Sequence, residues 1–360
     1  MIKTDHSAKE SGAEESAAKP SKVAVLGGGS FGTALANIVA DNGHAAMLWL
    51  RNAERAAEIN TAHLNSEYLP DFPLNPALVA TVDLARAVAD SDVIFMAVPS
   101  GSCRAVAREV ARHTRAGAIL VSTTKGLEAA GAPLTHDFRL MSEVLREEIP
   151  SAALGVLSGP NLAKEIAVKQ LTATVIASAD EALNQTVQQL LGCGYFRVYA
   201  SRDMTGVELG GALKNVYAIM AGMAAAIGIG HNTISLLITR ALAEMTRFAV
   251  NRGADPLTFM GLAGIGDLMV TCMSPLSRNY QVGFALGQGR DLESIVAELG
   301  QVAEGINTLK LLKEHAEHIG VRMPLVAGLF EILYNGRSIP EVVGGLMRAE
   351  QNRDVEYSLR

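Results

Sequence analysis

The chain has few cysteines, no excess of basic residues and no long uninterrupted apolar run. Cys103, Cys193 and Cys272 are odd in number, far apart and free of Cys-x-x-Cys spacing. That pattern excludes a disulfide framework and reads as reduced thiols of a cytoplasmic protein. Lys and Arg total 31 against 37 Asp and Glu, a formal charge of −6, which argues against a nucleic-acid partner. An anionic ligand must therefore be captured by a local basic site. The longest apolar stretch, 216–230, is short for a membrane span and is interrupted by Gly222 and Gly228, so it reads as a core helix and no transmembrane segment is expected. Residues 1–21 lack the apolar centre of a signal peptide, and Glu10, Glu14 and Glu15 speak against a transit peptide. A disordered tail is expected there.

What is present is a chain of 360 residues, 49% hydrophobic, enough to build two domains. From 22 to about 201, short apolar runs at 23–26, 46–50, 93–98, 119–122, 156–158, 174–177 and 196–199 alternate with helical stretches such as 32–42 and 102–113. Near-continuous apolar runs of that length predict strands buried on both faces, hence a doubly wound, mostly parallel sheet. After about 202 the strand signals vanish. Helices are predicted over 204–229, 235–252, 256–271, 292–299, 308–319, 325–334 and 340–347. The expected organisation is a tail (1–21), a dinucleotide-binding Rossmann domain (22–201) and an all-helical substrate domain (202–360), with the active site between the last two.

The first run leads into Gly27-Gly-Gly29-Ser-Phe-Gly32. A G-x-G-x-x-G pattern between a strand and a helix is the dinucleotide fingerprint. Gly27 permits the tight turn, Gly29 lets backbone approach the pyrophosphate, and Gly32 allows close helix–strand packing. The helix then presents its positive end to the phosphates. The second run ends in Trp49-Leu50-Arg51-Asn52, where NAD-preferring folds carry an acid. Arg51 can pair with a 2′-phosphate, which favours NADP(H) with NAD(H) possible; a solvated surface arginine is the competing reading.

Lys214 lies in Glu208-Leu-Gly-Gly-Ala-Leu-Lys-Asn, within a stretch that reads as a buried helix. A buried lysine is rare without a partner, because desolvating its charge costs several kcal/mol. Gly210 and Gly211, one turn away, are expected to leave space beside the ammonium. A lysine snorkelling at a helix edge is the alternative. Further on come Gly264-Ile-Gly266-Asp267-Leu268, Thr271-Cys272 and Ser277-Arg278-Asn279. Arg278 can grip a phosphate bidentately, Asn279 offers an uncharged donor, and Asp267 could hold Lys214 or a substrate hydroxyl. His315-Ala-Glu-His318 has ligand-like spacing but reads as a solvated amphipathic helix, and no metal is expected.

Residues 27–32, Ser122-Thr-Thr-Lys125-Gly126, Ser158-Gly-Pro160, 208–215 and 264–279 together resemble the bacterial NAD(P)-dependent sn-glycerol-3-phosphate dehydrogenases, over about 22–348. The resemblance implies interconversion of dihydroxyacetone phosphate and sn-glycerol 3-phosphate, a supply of glycerol 3-phosphate for phospholipid synthesis, and a homodimer. It also implies roles: Lys214 as the catalytic lysine, with Lys125, Gly159, Asn161, Asp267, Ser277, Arg278 and Asn279 at the substrate. Ser30, Phe31, Arg51, Lys125, Ala163, Arg278, Val302 and Glu304 would touch the cofactor. Asn161 departs from the Ser or Thr frequent there, and Phe31 from a frequent Trp. Reduction of a ketone needs a cation at the oxygen on which charge develops, and a desolvated lysine with a depressed pKa suits reversible proton transfer. The rivals are a related two-domain β-hydroxy acid dehydrogenase and a non-catalytic NADP-binding sensor. Relatives of the first kind space their Lys and Asn one helical turn apart, whereas Lys214 and Asn215 are adjacent.

Overall fold

The computed structural model describes residues 21–131, 137–299 and 303–348. The expected tail, apart from Ser21, lies outside them, as does Val302. Ten strands are described: β1 (Lys22–Leu26), β2 (Ala45–Trp49), β3 (Val79–Thr81), β4 (Val93–Met96), β5 (Ile119–Ser122), β6 (Leu127–Ala130), β7 (Asp137–Leu140), β8 (Ala153–Ser158), β9 (Thr172–Ala177) and β10 (Phe196–Ser201). Eight form one sheet in the order β10-β9-β8-β5-β4-β1-β2-β3. Every described pairing in it is parallel except β8 with β9. Parallel strands must be covered on both faces, and β1 is buried from Val23 to Leu26. Leu35, Val39, Leu183 and Val187 cover one face. Ala107, Val110, Val144 and Leu145 cover the other.

Beyond Ser201 every described regular element is helical. The helix Met204–Ala226 is buried almost all round and is packed by the helices His231–Asn251, Asp267–Met273, Arg278–Gly287 and Glu304–His318. It crosses Arg278–Gly287 at backbone contact: a β-carbon on Gly222 would strike the carbonyl of Tyr280, and one on Gly283 the carbonyl of Ile219. The crossing brings the Ser277-Arg278-Asn279 segment to the Lys214 side of the molecule.

Several expectations are corrected. The predicted helix 256–271 is three pieces, a 3-10 turn Pro256–Met260, a π turn Leu262–Gly266 and the helix from Asp267. Gly261, Gly264 and Gly266 are too weak as helix formers to hold one register, and Gly264 is pressed against the backbone of Phe259. The helix predicted to 229 stops at Ala226, before Gly228 at φ 73°. Strand β4 ends at Met96, before Pro99 opens the helix Ser100–His113. The helix Arg278–Gly287 was not predicted, nor were β3, β6 and β7, which are too short for a periodic signal. His315 is buried edge-on to Phe138 and Phe248, with ring centroids 4.9 and 5.8 Å away, so that face of its helix packs and is not solvated.

The β6–β7 hairpin belongs to the helical body. Leu127, Phe138 and Leu140 share a core with Leu213, Val216, Phe248 and Leu312. The Arg252 guanidinium lies 4.7 Å over the Phe138 ring and pairs with Asp137 at 3.5 Å and Glu143 at 3.3 Å. The hairpin, which precedes residue 201 in the chain, thus packs with the helices that follow it.

Candidate active site

The centre of the site is one carboxylate facing two ammonium groups. Asp267 is fully buried. Its Oδ1 accepts from Lys214 Nζ, and its Oδ2 accepts from Lys125 Nζ at 2.8 Å. Lys214 also donates to Thr271 Oγ1 at 2.7 Å, and Thr271 donates to the carbonyl of Asp267 at 2.6 Å. Lys125 donates to the Gly159 carbonyl at 3.2 Å, and Ser158 Oγ lies 3.5 Å from Asp267 Oδ2.

The fold explains why these groups meet. Lys125 follows β5 and Gly159 follows β8 at the carboxyl ends of parallel strands, where open α/β sheets bind ligands. Thr123 and Thr124 turn the chain there, both hydroxyls donating to the Met96 carbonyl. The π turn ends on Asp267, a local widening typical of functional sites, and aims its carboxylate at the Met204–Ala226 helix. Gly210 and Gly211 leave no void beside the ammonium, contrary to expectation. A β-carbon on the first would strike the Ala263 carbonyl and one on the second the Ser158 hydroxyl, so the glycines admit neighbours that wall the lysine in.

Two lysines against one carboxylate leave a formal surplus of one positive charge. Burial pushes the Lys214 ammonium down to about 7; Asp267 pulls it up, and Lys125 pushes it down. A group with a pKa of about 7 can exchange a proton near neutrality.

Ser277 caps the helix Arg278–Gly287 by accepting from the Tyr280 amide. Arg278 is exposed, while Asn279 is buried. The Oδ1 of Asn279 accepts from the Gly305 amide at 3.0 Å, so its Nδ2 is the end that can meet a ligand. Asn161 donates to Thr174 Oγ1 at 2.8 Å, leaving its Oδ1 buried and without a hydrogen-bond partner. One of the two N–H donors of Asn161 is thus engaged, and its acceptor has no partner.

At the cofactor end, Gly27 takes φ 128° and its amide donates to the Trp49 carbonyl at 2.9 Å. A β-carbon there would strike the Ala97 carbonyl, which only glycine avoids at that φ. Gly29 caps the helix Ser30–Asp41, and a β-carbon on it would meet nothing within 4 Å. Open space before a helix N-terminus fits a pyrophosphate. Ser30 Oγ donates to the Tyr68 carbonyl at 2.9 Å, and Phe31 and Ala163 pack half-buried on the sheet's core. Arg51 is exposed just past β2, beside Asn52, which caps the next helix. Glu304 accepts at both oxygens from Ser100, from the amide at 2.9 Å and the hydroxyl at 2.5 Å.

Ser158, Thr271, Ser100 and Asn65 were not assigned roles from sequence. Asn65, fully buried, donates to the Gly28 carbonyl at 3.0 Å and to Thr33 Oγ1 at 2.8 Å, so it braces the glycine turn from a loop. Nothing in the local pattern separates it from a surface asparagine. Among the described residues no cluster of three or more His, Cys, Asp or Glu could hold a metal, and no helix is long and apolar enough to cross a membrane.

A glycine turn on a parallel sheet, joined to a helical body that holds a buried lysine at the strand ends, is the plan of a nicotinamide-dependent dehydrogenase. Within that class, the chain belongs to the NAD-dependent glycerol-3-phosphate dehydrogenase family. Residues 22–184 match the model of the family's N-terminal domain and 203–344 that of its C-terminal domain. The glycerol-3-phosphate dehydrogenase (NAD(P)+) of Pseudomonas fluorescens strain SBW25 is 58% identical over 335 residues, covering 93% of this chain and 96% of that protein. The crystal structure of glycerol-3-phosphate dehydrogenase from Coxiella burnetii superposes with a TM-score of 0.85 at 33% identity, covering 92% of this chain and 99% of its own. A ketopantoate reductase from Ralstonia eutropha, at 13% identity, 86% of this chain and 96% of its own, and a TM-score of 0.56, shares the fold alone.

Proposed function

We propose that the protein interconverts dihydroxyacetone phosphate and sn-glycerol 3-phosphate, using NADP(H) in preference to NAD(H), and so supplies glycerol 3-phosphate for phospholipid synthesis. A cytoplasmic homodimer is part of the same reading. The observation that carries it is the cluster of buried Asp267 and Lys214 with part-buried Lys125 at the strand ends. When bound, the nicotinamide supplies or accepts the hydride. Lys214 Nζ donates its proton to the substrate oxygen as charge develops there, and takes it back in the reverse direction. Asp267 holds both ammonium groups in place and keeps Lys214 from losing its proton entirely to burial. Lys125, Gly159, Asn161 and Ser277 border the substrate, and Arg278 with Asn279 grips its phosphate. Gly27, Gly29 and Gly32 shape the pyrophosphate turn; Ser30, Phe31 and Ala163 line it, and Arg51 meets the 2′-phosphate. Glu304 and Val302 belong to the cofactor side, Val302 lying outside the described residues.

The test is steady-state consumption of NADPH and NADH with dihydroxyacetone phosphate, alongside Lys214→Met. Losing the general acid should lower turnover by about 10²–10⁴-fold with NADPH affinity retained. An inactive parent, or a Lys214→Met variant within a few-fold of it, would overturn the assignment.

A further inference from the structure

The helix Ser100–His113 begins at Pro99, which has no side chain to cap it. Helix N-termini leave amides unpaired and attract negative charge. Here the acceptor comes from the other half of the molecule, 204 residues later in the chain, as the Glu304 carboxylate held by the Ser100 amide and hydroxyl. Ser100 is 4% exposed. Gly126, next to Lys125, lies against this contact: a β-carbon on it would be 2.7 Å from Ser100 Oγ and 2.8 Å from Glu304 Oε2.

The far end of the contact reaches the substrate side. Gly305, which follows Glu304, donates its amide to Asn279 Oδ1 at 3.0 Å. A β-carbon on Gly305 would lie 2.6 Å from the carbonyl oxygen of Asn215, the neighbour of Lys214. The first turn of the Glu304–His318 helix is thus clamped between the cofactor half and two residues of the substrate half.

We propose that Ser100 is a positioning residue: by holding Glu304 it fixes that first turn, and through Gly305 it sets the Asn279 side chain against the Lys214 helix. The functional part of this inference rests on the proposed function; the structural part does not. Ser100 itself touches neither the carboxylate–lysine cluster nor the phosphate-gripping residues.

The experiment uses the full chain with Ser100→Ala. Hydrogen exchange at the Gly305 amide should accelerate about tenfold, the usual scale for losing one hydrogen bond to a charged group, while exchange in the last turns of the Glu304–His318 helix stays unchanged. The kcat/KM for dihydroxyacetone phosphate should fall about tenfold, mostly through KM, and the same change made in an Asn279→Ala background should cost much less. Unchanged exchange at Gly305, or additive effects of the two substitutions, would overturn the proposal. Should Ser100→Ala fail to fold, Glu304→Ala removes both contacts and is read by the same exchange, where parent-like protection overturns the proposal equally. If the parent does not turn over dihydroxyacetone phosphate, the proposed function falls, while the exchange measurement still decides the role of Ser100.

Discussion

Replacing Asp267 by Asn is the most demanding test of the charge arrangement. The substitution changes almost no volume, yet it removes the only described carboxylate that faces Lys214 and Lys125. An amide presents one oxygen acceptor, so one ammonium would face an NH₂ donor. Removing one partner of a buried ion pair costs roughly 3–5 kcal/mol, because the charge left behind is stranded; here that charge is Lys214, since Lys125 keeps 22% of its side chain exposed. The lysine that yields first is Lys214, already held down to about 7 by burial and by Lys125. Without Asp267 pulling it up, it moves further down and is neutral at neutral pH. In the parent, reduction of dihydroxyacetone phosphate needs protonated Lys214 and should fall as pH rises through about 7; oxidation of glycerol 3-phosphate should rise through the same pH. In Asp267→Asn both limbs should shift to lower pH. Reduction at neutral pH should drop by about 10²-fold or more, the equivalent of 3 kcal/mol. Cofactor absorbance followed across the pH range in both directions measures this. Limbs at the parent's pH, with turnover within a few-fold, would refute the reasoning.

Arg51→Asp should lower the NADPH-to-NADH ratio of kcat/KM at least tenfold, since a charged hydrogen-bonded pair contributes roughly 1.5–3 kcal/mol; an unchanged ratio measured with both cofactors would place the preference elsewhere. Arg278→Ala should weaken the phosphorylated substrate by roughly 2–5 kcal/mol and leave unphosphorylated dihydroxyacetone, a poor substrate, almost unaffected. Equal losses on both would assign Arg278 to the cofactor or the fold. Burial lifts the Glu244 carboxyl to about 7 although the amides of Leu325 and Val326 and the Tyr217 hydroxyl donate to it. The folded state therefore holds the extra proton between 4.5 and about 7, and stability falls as pH rises through that window, by a few kcal/mol. Glu244→Gln should flatten the slope of melting temperature against pH, and an unaltered slope would show that Glu244 does not set it.

The sheet was legible because its strands are buried on both faces and announce themselves as continuous apolar runs, and the glycine turn because Gly27 and Gly32 answer a steric demand while Gly29 leaves open space before the helix. Lys214 was legible for the opposite reason: a charge in an apolar helix conflicts with its surroundings. Shape at short range was not legible. The π turn before Asp267 depends on glycines whose conformations are chosen by tertiary contact, and the two-residue hold of Ser100 on Glu304 spans most of the chain. Asn279 was read as a donor, but which end of an amide meets a ligand is decided by the neighbour that takes the other end, here the Gly305 amide. Asn161 illustrates the same limit, with one of its two N–H donors taken by Thr174.

The placement of the β6–β7 hairpin sets an order on biosynthesis. Phe138 leaves the ribosome 110 residues ahead of Phe248 (248 − 138), the ring it stacks on at 5.9 Å. At ordinary translation speeds that is a wait of roughly 5–20 s, during which the helical core that receives Leu127, Phe138 and Leu140 is incomplete. The sheet can close on the nascent chain with its hairpin still uncovered. A chimaera assembled by joining one relative's first half to another's second half would separate the hairpin from the surface it evolved to fit, so the exchangeable unit is the helical body together with residues 127–140.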